Sequence, residues 1–248
     1  MTICLLVPHY DHVTQFRRLL PSLRETNLPL VIVDDASPAD AFAELQQLLD
    51  SSAGPVTLVR HGENRGKGGA VTTGLMTARD AGFSHALQID ADGQHDVAGI
   101  DALRALSEQH PDAIICGEPV FDQSISKLRY YGRYLTHALV WLETLSTHIR
   151  DAMCGFRVYP TGAVVDLIKR RAPGARMAFD PELLVRASWA GIPIRFTPVT
   201  VRYPEDGASH FHYFRDNAII SWMHTRLIVG MVLRLPLLLG RKLRGPGA

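Results

Sequence analysis

Short, continuous apolar runs alternate with helix-spaced apolar positions through the first half of the chain. The runs Ile3–Val7, Leu30–Val33, Val56–Val59, Ala86–Ile89 and Ala113–Cys116 read as strands. Between them, Phe16, Leu19, Leu20 and Leu23 recur at helical steps, and Ala39–Leu49, Ala70–Ala81 and Ile100–Gln109 also read as helices. This alternation predicts βαβ units on a mostly parallel sheet flanked by helices, an α/β fold. Strands buried on both faces of such a sheet are expected to be continuously apolar. Past Gly117 the period becomes helical. Leu128, Tyr131, Leu135, Ala138, Leu142, Leu145 and Ile149 predict a long amphipathic helix over 125–149. Ala178–Ala190 predicts another helix. Ile192–Pro198 and Val199–Tyr203, given Pro193 and Pro198, predict two edge strands. An apolar helix from about Asn217, interrupted at Pro236, closes the chain. The expected organisation is one α/β domain over 1–215 and an amphipathic C-terminal segment over 216–248.

The composition narrows the class. With 248 residues, 46% hydrophobic and 21% charged, the chain is globular and long enough to bury a core without staples. Its net charge of +1, from 26 basic and 25 acidic residues, argues against a general nucleic-acid binder. Cys4, Cys116 and Cys154 offer neither zinc spacing nor a disulfide framework, as expected for a reducing compartment. The first apolar run has no basic leader and stops at Pro8, so it reads as a strand and not as a signal peptide.

Ligands of open parallel sheets bind beyond the carboxyl ends of the strands, and two acidic clusters fall there. Asp34-Asp35 ends the second strand, and Asp90-Ala91-Asp92 ends the fourth. Neighbouring carboxylates repel unless neutralised, and Mg²⁺ or Mn²⁺ bridging to a phosphate relieves this. A turn in which both aspartates cap the next helix is the alternative. The loop Asn64-Arg65-Gly66-Lys67-Gly68-Gly69-Ala70 matches neither a Walker A motif nor a dinucleotide fingerprint. It is a doubly basic loop at a helix N-terminus, suited to diphosphate oxygens or else a solvated turn. His9, His61, His85 and His110 are expected in loops or at the surface. Trp141, Trp189 and Trp222 are expected as packing or interfacial anchors.

Six segments in register carry a family resemblance. They are Pro8-His9-Tyr10-Asp11, Val33-Asp34-Asp35-Ala36-Ser37, Asn64 to Ala70, Asp90-Ala91-Asp92-Gly93-Gln94-His95, Asp151-Ala152-Met153-Cys154-Gly155-Phe156-Arg157 and Phe179-Asp180-Pro181-Glu182-Leu183-Leu184. From about residue 2 to about residue 215 the chain resembles the family 2 glycosyltransferases, inverting enzymes that use nucleotide-diphosphate sugars. It is closest to the branch of dolichyl-phosphate mannosyltransferase and bacterial polyprenyl-phosphate glycosyltransferases. The resemblance implies a GT-A type, Rossmann-like fold and a UDP- or GDP-linked sugar donor. It implies that Pro8 and Tyr10 line the nucleobase pocket, with Asp35 at the base or ribose and Asp11 and Asp34 also binding the nucleotide sugar. Lys67 would lie near the phosphates, Asp90 and Ala91 near the nucleotide, and Asp92 and Gln94 on a Mg²⁺ or Mn²⁺ ion. Asp151 would be the acceptor-side carboxylate, with an ion pair to Arg150 or Arg157 as its structural alternative. Arg157 and Arg202 would face an anionic acceptor, and Asp180, Glu182, Ser209 and His210 would flank it. The chain departs from the pattern at Asp11, where Asn or Glu is usual, and at His210, where the mannosyltransferases tend to have Lys.

The implied reaction is metal-dependent inverting transfer of a sugar to a lipid-linked acceptor, either a polyprenyl phosphate or a lipid hydroxyl. A hydroxyl acceptor would need a base, for which Asp151 is the candidate. A non-catalytic, membrane-associated protein that binds nucleotide sugars is the alternative. In residues 217–239 the apolar run is broken by His224, Arg226 and Arg234 and closed by Arg241, Lys242 and Arg244. Charges at the bilayer centre are costly, so an interfacial helix with arginines reaching headgroups is expected rather than a spanning one. The helix over 125–149, with Lys127, Arg129 and Arg133, offers a second membrane contact. Core packing or a homodimer interface are the alternatives for both helices. The expected location is peripheral, on the cytoplasmic face of a membrane.

Overall fold

The computed structural model describes residues 1–121, 127–201 and 213–244. The elements in chain order are β1 (Ile3–His9), α1 (Val13–Glu25), β2 (Leu30–Asp34), α2 (Ala39–Asp50), β3 (Val56–Arg60), α3 (Lys67–Asp80), β4 (His85–Gln88), α4 (Gly99–Gln109), β5 (Ile114–Phe121), α5 (Lys127–Thr144), β6 (Arg157–Pro160), α6 (Thr161–Arg170), α7 (Phe179–Ala190), β7 (Ile194–Val201) and α8 (Tyr213–Arg244). The strands form one seven-stranded sheet in the order β3-β2-β1-β4-β6-β5-β7. All neighbours are parallel except β6, which runs antiparallel to both β4 and β5.

Side chains alternate across each buried strand, and the two faces feed two apolar layers. From β1, Ile3, Leu5 and Val7 join α1, α2 and α4, through residues such as Phe16, Leu45 and Leu103. Cys4 and Leu6 of β1 join the opposite layer, with α3, α5, α6, α7 and α8. Helix α8 adds Met223, Leu227, Met231 and Leu238 to that layer, so it is packed on the domain.

Two expectations from the pattern are corrected, and one segment without a reading is filled in. Ile192–Pro198 and Val199–Tyr203 do not give two strands. Within the described residues a single strand, β7, runs through Pro198 at the sheet edge, where a missing N–H costs no ladder bond. Helix α8 is continuous across Pro236. The segment β6–α6, read as neither strand nor helix, supplies the central antiparallel strand.

The strand order reverses between β1 and β4, with β2 and β3 on one side and β6, β5 and β7 on the other. A crevice at the carboxyl end of the sheet follows from that reversal. The antiparallel β6 begins at this same end, so the turn before it faces the tips of β1 and β4.

Candidate active site

Lys67, the first residue of α3, reaches back over the end of β4. Its ammonium lies 2.7 Å from Asp90 Oδ2 and 3.3 Å from Asp180 Oδ2. Burial alone would lower the Lys67 pKa, but Asp180 and Asp90 outweigh it and keep the amine charged. Asp90 also meets Gln88 Nε2 at 3.2 Å, and Gln88 Oε1 accepts the Tyr159 hydroxyl at 3.0 Å. Burial opposes ionisation of Asp90, yet Lys67 and His95 hold it well below the usual carboxylate range. Asp92 goes the other way: burial and the Asp90 charge push its carboxyl up. One of the two neighbouring carboxylates is thus neutralised from within the protein and the other is not.

Gly155 makes this approach possible. An added Cβ would fall 2.8 Å from Gln88 Nε2, 3.0 Å from Asp90 Oδ2 and nearer still to the Lys67 ammonium.

The opposite wall is built on Asp151. Its Oδ1 accepts the backbone N–H groups of Met153 and Cys154 at 2.9 and 2.7 Å. Its Oδ2 accepts Arg133 Nε at 2.5 Å and lies 3.3 Å from His137 Nε2. Burial raises the carboxyl, but His137 and Arg133 outweigh it and leave Asp151 well below the usual range. The ion pair expected with Arg150 or Arg157 forms instead with Arg133, while Arg150 reaches Glu118. Between the two walls lies a cavity of about 90 Å³, lined by Asp90, Gln94, His95, Arg133, Gly155 and apolar Pro119, Met153 and Val201 among others.

A lysine held by two aspartates and an arginine held by a third thus face one cleft. The sequence of residues 4–164 matches the model of Glycosyl transferase family 2. The chain belongs to this family. Human dolichyl-phosphate beta-glucosyltransferase is 32% identical over 179 residues, which cover 66% of this chain and 53% of that one. The chain thus spans about half the length of the curated relatives it matches. Two solved structures carry the fold comparison. Glucosyl-3-phosphoglycerate synthase from Mycobacterium tuberculosis, in complex with Mn²⁺, UDP and phosphoglyceric acid, superposes with a TM-score of 0.65 at 14% identity, covering 94% of this chain and 77% of that one. Mannosyltransferase PcManGT from Pyrobaculum calidifontis, in complex with GDP-Man and Mn²⁺, gives 0.59 at 16% identity, covering 94% and 64%. The fold is therefore GT-A-like, as the motifs implied.

Within this family frame, several expected residues take other places. Arg157 is fully buried and donates to the backbone oxygens of Asp180 and Ala152, so it braces the site from beneath and does not face an acceptor. Asp180 turns to Lys67. Glu182 is fully buried against Arg186 and flanks no acceptor. Asp34 is buried under His9 and Ser37, and both Asp35 oxygens accept loop N–H groups, from Arg65 at 2.8 Å and Gly66 at 2.6 Å. The two aspartates therefore shape the loops around the crevice from within.

Pro8 sits inside β1 opposite Val33, Tyr10 follows at the strand tip, and Asp11 turns with φ 53°. Ala91 is buried in the apolar layer. Asp92 Oδ1 takes the Gln94 N–H at 3.0 Å. Arg202, Ser209 and His210 lie outside the described residues. His9 and His85 are buried and hydrogen-bonded in β1 and β4, contrary to the loop or surface placing, whereas His61 lies in the loop after β3, though buried, and His110 is exposed. Arg133, His137 and Gly155 were not singled out for the site from the sequence. The first two stand four residues apart, one helical turn, and that spacing was the available signal.

The basic side chains of α8 also depart from expectation. His224 pairs with Glu143 at 2.7 Å, Arg226 approaches Glu182, and Arg234 lies over the Trp189 ring. Arg241 donates to Trp189 O and Lys242 to Leu145 O. Each of these side chains thus has a partner within the protein. What α8 turns outward is Trp222, Val229, Val232, Leu233 and Leu237.

Proposed function

We propose that the protein transfers a sugar, with inversion, from a nucleotide-diphosphate sugar to a polyprenyl phosphate at a membrane surface, with a divalent metal ion. The observation that carries this reading is the cleft itself, with Lys67 held by Asp90 and Asp180 on one side and Arg133 held by Asp151 on the other. The naming of relatives as dolichyl-phosphate glucosyltransferases and a dolichol-phosphate mannosyltransferase supports the acceptor class.

The residues present suit a hard cation. Asp92 is raised by burial and by Asp90, and a positive charge would relieve both effects. Among the described residues no three His, Cys, Asp or Glu side chains converge, so diphosphate oxygens would have to complete the coordination. Asp92 and Gln94 would hold Mg²⁺ or Mn²⁺, whose chemistry there is to offset charge on the departing diphosphate. Lys67 adds a fixed positive charge at the same place, beside the N-terminus of α3, where backbone N–H groups favour phosphate.

An acceptor phosphate oxygen attacks the anomeric carbon as the bond to the nucleoside diphosphate breaks on the opposite face. The phosphate is already ionised near neutral pH and needs no base. Asp151, held by Arg133, His137 and two N–H groups, is poorly suited to take a proton from a hydroxyl but well suited to aim Arg133. The outward apolar side of α8, a helix long and apolar enough to cross a membrane by length and composition, fits contact with lipid.

The test is transfer from a panel of UDP- and GDP-linked sugars, with Mn²⁺, to a short polyprenyl phosphate and to the matching alcohol. Transfer to the phosphate alone is expected. Transfer to the alcohol alone, none with any donor, or full activity in EDTA would overturn the reading.

A further inference from the structure

Glu182 is fully buried in the first turn of α7, away from the cleft. Its Oε1 pairs with Arg186, one turn on. Its Oε2 accepts the backbone N–H of Gly174 at 2.8 Å and lies 3.4 Å from Nη2 of Arg226 in α8. A buried carboxylate is tolerated only where charges and donors compensate it, so these three partners fix where it sits.

Gly174 begins a segment that lies directly on the glycine-rich loop. Ala175 O accepts the Gly69 N–H at 2.8 Å. A Cβ on Gly66 would come within 2.6 Å of Arg176 Cγ, and one on Gly68 within 2.8 Å of the carbonyl oxygens of both Gly174 and Ala175. The Gly69 N–H bonds the 174–176 backbone directly, and Phe179 Cβ and the Arg176 side chain pack against Gly68 and Gly66 beside it, so a shift of that segment passes into the loop that presents Lys67. The contacts form an unbroken series: Arg226, Glu182, Gly174, Ala175, Gly69.

We propose that Glu182 is a positioning residue for donor binding, and that α8 sets its place through Arg226, so that the seating of α8 is energetically linked to the nucleotide-diphosphate site. The proposal rests on reading that site as the donor site of a glycosyltransferase. Loss of the Arg226 charge leaves Oε2 with a backbone donor alone, lets the carboxylate shift toward Arg186, and slackens its hold on Gly174. Because such linkage is reciprocal, a bound donor also favours the seated α8. Whatever covers the outward apolar side of α8 then bears on how well the donor is held. The other ties of α8, Arg241 to Trp189 O and Arg234 over the Trp189 ring, meet the far end of α7 and do not touch this series.

The experiment uses the full chain and the variants Arg226→Gln, Arg226→Lys and Arg241→Gln. Arg226 is 41% exposed, so its replacement is compatible with folding. UDP and GDP are titrated separately in the presence of Mn²⁺. Arg226→Gln is expected to weaken binding of whichever nucleotide the parent binds by about fivefold or more, the lower range of coupling between sites. Arg226→Lys restores binding and Arg241→Gln leaves it unchanged. Amide hydrogen exchange at Gly69, which needs no nucleotide, accelerates in Arg226→Gln alone. Unchanged Gly69 exchange in Arg226→Gln, or equal acceleration in Arg241→Gln, would overturn the proposal. If the parent binds neither nucleotide, the transferase reading fails, while Gly69 exchange still decides whether Arg226 and Glu182 hold the segment.

Discussion

Lys67 and Asp151 each join two or more opposing groups in a nearly buried place, and single substitutions there separate chemistry from folding. Gly155→Ala is expected to push Lys67 off Asp90 and abolish transfer while the circular dichroism spectrum stays native, because the clash falls on side-chain tips. Asp92→Asn removes the raised carboxylate, and loss of transfer that added Mn²⁺ does not restore is the expected result. Asp151 affects stability with a definite sign. Its carboxyl is depressed in the fold, so its contribution is present above the ordinary carboxylate pKa of about 4 and is lost as pH falls below it. The melting-temperature advantage of the parent over Asp151→Asn should therefore shrink between about pH 5 and about pH 3. With a phosphate acceptor, the same substitution should raise the acceptor KM without adding a new basic limb to the kcat–pH profile.

Helix α7 is the element on which the others converge. It is buried along nearly its whole length, meets the sheet, α6 and α8, and ends at Gly191 in the left-handed conformation. Trp189 seals its far end: the indole donates to Glu143 O at 2.9 Å, and its ring lies under Arg234 and against Gly230. Trp189→Phe removes that donor and leaves a buried carbonyl unsatisfied, a cost of about 1–3 kcal/mol. For a chain of this size, that is a fall in melting temperature of roughly 2–4 °C per kcal/mol. Thermal melting checks it, and limited proteolysis should find α8 cut sooner in the variant. Helix α5 shows the same economy, because its buried stripe carries Arg133 and His137 inward to Asp151 while Tyr134 and Leu135 stand outside.

The molecule as a body presents an apolar side on α8. Leu233 is 77% exposed and Val229 56%, whereas His224, Arg226, Arg234, Arg241 and Lys242 of the same helix each contact the rest of the protein. Attraction to lipid should therefore come more from apolar area than from charge. The double variant Val229→Glu/Leu233→Glu is expected to lose flotation with phospholipid vesicles, while raised salt leaves flotation of the parent largely intact. A chain cut at Arg215 is a poorer test, because removing α8 uncovers Met223, Leu227 and Met231 partners in the core.

Strands β1, β2 and β4 were legible because burial on both faces demands continuous apolar residues, and that demand is local. The crevice and the carboxyl-end aspartates followed from the same alternation, and six motifs in register pointed to the family. Strand β6 was not legible: Arg157–Pro160 is four residues long and begins with a buried arginine, tolerated only because Asp180 and two carbonyls close around it. Nor did spacing reveal that Glu182 would face Gly174 and Arg226 rather than an acceptor, since its partners come from a loop and a helix remote in the chain. The basic side chains of α8 look solvent-bound in one dimension, yet His224, Arg241 and Lys242 meet a carboxylate and open carbonyls in and around α5 and α7. Periodicity thus fixed which apolar residues are buried, because their burial answers to each residue's own polarity. Which charge meets which depended on the packing of distant elements, because a buried charge is stable only where its partner is brought to it.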